Sequence, residues 1–152
     1  MLDEPKYGWT HVMFGGQCLG TASYLTDVPV DCMERMIAHL LKDTAMDNFS
    51  IEFDAEGYTF GLIEFSGSLF WIHDNTEDGC PVLAKLNPES LGLMKYATVN
   101  EIMIRLAKEL IDDIQSNKNE WIYWDCMDED ESEIEKREEK INNLLVKLKN
   151  LI

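Results

Sequence analysis

Basic residues are scarce in this chain. Thirteen lysines and arginines face 29 acids among 152 residues, which leaves a formal charge of −16. A field of that sign repels nucleic acid and anionic membranes and speeds encounter with basic partners. Solubility alone is the competing explanation of the charge. Cysteine is sparse as well: Cys18, Cys32, Cys80 and Cys126 are scattered, and none forms a C-x-x-C pair. That excludes a dense disulfide framework and leaves buried free thiols in a reducing compartment. No apolar run approaches the roughly 18 residues of a membrane span. The opening segment carries Asp3 and Glu4 and lacks the apolar stretch of a signal peptide. The expectation is a cytoplasmic protein.

Motifs that carry chemistry are missing too. The chain contains no G-x-x-x-x-G-K-S/T, no G-x-G-x-x-G and no G-x-S-x-G. Its three histidines, His11, His39 and His73, show no H-x-x-x-H spacing. His39 falls on the polar side of a helix pattern and reads as a solvated side chain, while His11 and His73 fall in strand patterns. His73 and Asp74 with Cys80 raise the idea of a thiol nucleophile, but a triad is recognised by geometry, and a strand end with a buried thiol accounts for the same residues. Residues 125–131 hold five acids, yet lack the order and the glycine of a calcium loop. The residues therefore nominate no catalytic group, cofactor or metal site.

What is present is a well-patterned single domain over residues 1–152. Hydrophobic residues make up 45% of the chain, enough to offset the entropy of ordering it. Residues 8–14 alternate, Gly15-Gly16 turns, and 18–25 return as a hairpin partner. Asp31 with Glu34 fits a capping box, and Val30, Met33, Met36, Ile37, Leu40 and Leu41 follow at helical spacing. Residues 49–86 read as an antiparallel meander with turns at Ala55-Glu56-Gly57, Ser66-Gly67 and 75–79. Asn87-Pro88 opens a short helix ending near Tyr96. Thr98 with Glu101 caps a longer one lined by Val99, Ile102, Met103, Leu106, Leu110 and Ile114, with Glu101/Arg105 and Lys108/Asp112 as solvent-side pairs. Trp9 and Trp71 are assigned to the core. The fold class is α+β: a mainly antiparallel sheet, the meander plus the N-terminal hairpin, packed with three to four helices.

The last third is the unusual part. Residues 120–125 alternate around Trp121, Tyr123 and Trp124 and read as a final strand. From Glu120 to Glu139, ten acids face only Lys136 and Arg137, so half the net charge lies in 20 residues. Residues 125–132 read as an acidic connector. Ser132 with Glu135 fits a third capping box, and residues 133–152 form an amphipathic helix. Its stripe of Ile134, Ile141, Leu144, Leu145, Leu148, Leu151 and Ile152 has two readings, packing on the sheet or pairing with a second copy. Four large residues in a row cannot all face inward from one strand, which makes this region the best interface candidate.

In size, charge and layout the chain resembles bacterial toxin-immunity proteins, small acidic α+β domains that neutralise a toxin, often a basic nuclease, by binding it. The resemblance implies a partner-binding cluster of Trp121, Tyr123, Trp124, Asp125, Asp128, Glu129, Asp130 and Glu131. Carboxylates would steer a basic surface inward and aromatics would slow its release. The expected partner is a basic protein, with no nucleic acid and no membrane, and the expected state is a monomer or a homodimer through the C-terminal helix. Three rivals stand beside it. A dimeric acidic secretion chaperone ordinarily opens with a helix rather than a hairpin. A nucleic-acid mimic spreads its acids over one whole face. An enzyme would need a site assembled from dispersed residues.

Overall fold

The computed structural model of the chain describes residues 1–42, 49–74, 81–124 and 130–152. Two antiparallel sheets and four α-helices share one continuous core. This is the expected α+β class. Strands β1 (Trp9–Phe14) and β2 (Gln17–Ser23) form the hairpin around Gly15-Gly16. Thr10, Val12 and Phe14 point inward, while His11 is exposed. Trp9, expected in the core, is only half-buried, on the same side of the hairpin as His11. The segment before β1 runs back along it. Met13 donates its amide to the Met1 carbonyl at 2.7 Å, and Asp3 donates to the His11 carbonyl at 3.0 Å.

The meander folds as the turn residues dictate. Strands β3 (Ser50–Asp54), β4 (Thr59–Phe65), β5 (Ser68–Asp74) and β6 (Val82–Lys85) pair in sequence order, every neighbour antiparallel. Ile51, Phe53, Phe60, Leu62 and Leu69 make its buried face, and Trp71 packs partly against the same core. The hairpin lies close against that face: a Cβ at Gly20 would sit 2.7 Å from the Phe60 ring, so only glycine permits this approach.

Helix α1 (Val28–Leu40) buries Val30, Met33, Met36 and Ile37, and leaves Leu41 exposed. Its start differs from expectation. The N-cap is Asp27, Pro29 lies in the first turn, and Asp31 with Glu34 sits inside the helix instead of capping it. Proline tolerates the first turn because its missing N–H would be unpaired there anyway. Asn87 does cap the next element, accepting from the Glu89 amide at 3.1 Å. That element is a 3-10 helix over Pro88–Leu91, stopped by left-handed Gly92, and not a helix reaching Tyr96.

Helix α2 (Val99–Ser116) has the expected capping box. The Thr98 hydroxyl accepts from the Glu101 amide at 3.3 Å, and the Glu101 carboxylate accepts from the Thr98 amide at 2.7 Å. Arg105 pairs with Glu109 rather than Glu101, whose carboxylate Thr98 already holds. The final strand is absent: Lys118–Ile122 forms a short helix, α3. Helix α4 (Glu131–Lys149) starts two residues earlier than expected, capped by Asp130 rather than Ser132. It packs on α1, and less extensively on α2 and α3, so its stripe meets helices rather than the sheet. Ile141, Leu145 and Leu148 are buried there, Ile134, Leu144 and Leu151 are half-buried, and Ile152 stays exposed.

Candidate partner-binding surfaces

The nominated cluster divides. Asp125, Asp128 and Glu129 lie outside the described residues, as do residues 43–48 and 75–80, Cys80 among them. Trp121 and Trp124 are core residues, at 0% and 4% exposure. The helical turn explains this correction. Residues three apart share a helix face, whereas in a strand Trp121 and Trp124 would face opposite sides. Their rings lie 5.1 Å apart, and the Trp124 indole N–H donates to the Thr26 carbonyl at 3.1 Å. They anchor the fold rather than a partner. Tyr123, between them, points outward at 57% exposure.

Bases near this region are spent holding helices together. Arg137 of α4 makes a two-pronged contact with Asp27 at the start of α1, at 2.6 and 2.9 Å, and also donates to the Trp121 carbonyl. Lys140 reaches Glu34 of α1 at 3.2 Å, and Lys118 reaches Glu138 of α4 at 2.7 Å. The Lys118 ammonium holds the Glu138 carboxyl below its ordinary range. Glu131, Glu135 and Glu139 have no ion pair among the described residues, and with Asp130 they stay exposed. The result is an acidic ridge along the first turns of α4. Burial, together with the neighbouring Asp27 and Glu34, raises the Asp31 carboxyl above its ordinary value.

A second surface was not foreseen from the sequence. The outward face of the four-stranded sheet carries Ile63, Phe65, Phe70, Ile72 and Leu83, none of which belongs to the core cluster. Phe65 is 68% exposed and Leu83 is 58% exposed. A groove of about 400 Å³ crosses this face, lined by Glu52, Thr59, Gly61, Ile63, Ile72 and Asp74 among others. A Cβ at Gly61 would collide with the Ile51 carbonyl oxygen, so the groove floor there is bare backbone. The signal existed in the sequence: β4 and β5 carry large apolar residues on both faces, and only one face can meet the core.

A separate cleft, of about 500 Å³, lies between the hairpin and the sheet, with Phe14, Cys18, Trp71, Lys85 and Asn87 in its walls. The histidines do not converge on it as a catalytic set. His73 stacks on Tyr58 at 4.6 Å, and His11 lies 3.5 Å from Asp3. His39 is not solvated as expected: it packs edge-on to Phe49, with Glu64 at 3.7 Å. Burial and nearby carboxylates push the Cys32 thiol far above its ordinary range, so it carries no thiolate at neutral pH. Among the described residues no three acidic, histidine or cysteine groups are placed to hold a metal, and no helix is long and apolar enough to cross a membrane. No family model, curated protein or solved structure matches the chain.

Proposed function

We propose that this protein is a non-catalytic binding domain of the immunity type, which neutralises a basic toxin by direct association. The observation that carries the reading is the acidic ridge at the start of α4. Among the described residues the carboxylates of Glu131, Glu135 and Glu139 have no ion pair, while Arg137 and Lys140 are engaged with α1. A surface arranged this way steers a basic partner and pays for its self-repulsion only when no partner is present. Tyr123, just after α3, adds an exposed aromatic side chain, a residue type enriched at binding hot spots. The burial of Trp121 and Trp124 shifts their role to holding the ridge in place.

The test is co-expression with the product of the gene immediately upstream, where immunity-type proteins have their toxin encoded. Growth should be rescued, and titration calorimetry should show one-to-one binding that weakens from low to high salt as charges are screened. Binding without salt dependence, or no rescue, refutes the proposal. The nucleic-acid mimic is the less favoured reading, because the apolar stretch on the sheet interrupts the even spread of acids that a phosphate mimic needs.

A further inference from the structure

We infer that the outward face of the four-stranded sheet is a docking surface for an extended basic segment of a partner protein, one that carries a large apolar side chain between lysines or arginines. This rests on the proposed binding function and assigns it a second contact. The strand register sets out the surface in rows. Ser50, Ile63, Phe70 and Lys85 lie side by side across the sheet, and Glu52, Gly61, Ile72 and Leu83 form the next row. Asp54, Thr59 and Asp74 form the row beyond. Apolar side chains therefore occupy the middle, carboxylates crowd one end, and Lys85 is the one base in these rows.

The chemistry of the occupant follows from that layout. Side chains on a strand alternate between faces, so an extended segment can set an apolar residue over bare Gly61, between Ile63 and Ile72. Its flanking residues then reach Glu52, Asp54 and Asp74, which favour cations. A second copy of this chain is disfavoured, because a two-fold contact through this face would set each rim of carboxylates against its mate. Nucleic acid is repelled by the same rim. Ile63, Phe70 and Ile72 are half-buried and Phe65 and Leu83 exposed, and a contiguous apolar strip of this kind is characteristic of interaction sites.

The probe is a blocked peptide of alternating leucine and lysine, about eight residues long, a common strand length. A counterpart with glutamate in place of lysine serves as control. Amide shifts of the isotope-labelled protein are followed as each peptide is titrated in. Shifts should concentrate at Gly61, Ile63, Phe70, Ile72 and Leu83 for the lysine peptide and be absent for the glutamate one. Ile72→Ser should weaken binding by about tenfold, the loss expected for a central apolar contact. Leu83→Ser, at a more exposed position, guards against a folding defect and should weaken binding to a lesser degree. Glu52→Gln with Asp74→Asn should weaken binding and flatten its salt dependence, whereas Tyr123→Ser should leave it unchanged. Shifts centred on residues 130–139, equal binding of the glutamate peptide, or unchanged affinity in Ile72→Ser and Leu83→Ser would each overturn the inference. Growth rescue separates the two ideas. Rescue that survives the sheet variants but fails in Tyr123→Ser leaves the immunity function standing and this docking surface refuted. Peptide binding at the sheet without any rescue does the reverse.

Discussion

Removing the Arg137 side chain tests whether the acidic ridge is held to the body by one buried cation. Its guanidinium is 10% exposed and the Asp27 carboxylate 26% exposed, so the pair sits between two known regimes. Breaking a fully buried pair costs about 3–5 kcal/mol, because it leaves a charge without a partner. Breaking an exposed pair costs about 0.2–1 kcal/mol. Arg137→Ala also strips the Trp121 carbonyl of two donors, at 3.2 and 3.4 Å. Water can reach Asp27 once the arginine is gone, which moderates the loss. The expected cost is about 2 kcal/mol, and with a urea slope of about 1–3 kcal/mol per molar the unfolding midpoint falls by about 1 M.

Tryptophan fluorescence is the appropriate readout, since Trp121 and Trp124 lie beside the contact. Arg137→Lys should recover less than half of the loss, because an ammonium cannot present the planar fork that grips both Asp27 oxygens. Lys136→Ala, which removes only an exposed pair with Glu133, should change stability by less than about 0.5 kcal/mol. If Arg137→Ala behaved like Lys136→Ala, the pair would be a surface contact in energetic terms, and α4 would owe its position chiefly to the burial of Ile141, Leu145 and Leu148.

Other outcomes follow from the titrating groups and thiols. Asp31 has a carboxyl pKa raised above its ordinary 3.8 by burial and by Asp27 and Glu34, so its ionised form opposes folding. Asp31→Asn should therefore raise the urea midpoint at pH 7, and the gain should shrink as pH falls through the raised folded-state value towards 3.8. Glu101 has the opposite sign: hydrogen bonds from the Thr98 amide and hydroxyl lower its pKa below the ordinary 4.5. Its stabilising effect is complete above 4.5 and lost as pH falls through the folded-state value, so Glu101→Gln should flatten the acid limb of the stability profile. Thr98→Ala should cost about 1 kcal/mol at neutral pH, as measured by urea unfolding. Exposed Cys18 should react with a thiol reagent in the native protein, while buried Cys32 should label only on unfolding, as resolved by peptide mass spectrometry.

The elements most legible in the sequence were those where several signals agreed. Thr98 and Glu101 stand before a clean apolar face, and the structure builds that capping box and that helix. The meander turns are set by short polar segments with Gly57 and Gly67. The misreadings share a physical cause. An acid-rich chain repeats the capping spacing by chance, so Asp31/Glu34 and Ser132/Glu135 fit the pattern while lying inside helices that begin at other residues. The run Trp121-Ile122-Tyr123-Trp124 has strand-forming side chains, but tertiary burial chose the helical turn that puts both tryptophans inward. The exposed sheet face was hidden because two-sided apolar strands look the same whether one face or both are covered.

The rows on the sheet bear on why the chain is so acidic. If the acids served solubility alone, they would be indifferent to where apolar groups are exposed. On the sheet, carboxylates border the apolar strip: Glu52, Asp54 and Asp74 lie in the rows beside Ile63 and Ile72. An acidic border discourages two copies from meeting through their apolar centres and admits a basic partner to the same centres. The apolar strip on the sheet is then protected from self-association by the charges that attract its partner. Neutralising Glu52, Asp54 and Asp74 together should therefore have two linked effects: weaker binding of a basic segment, and concentration-dependent self-association visible by light scattering. Loss of binding without self-association would show that the acids attract but do not guard.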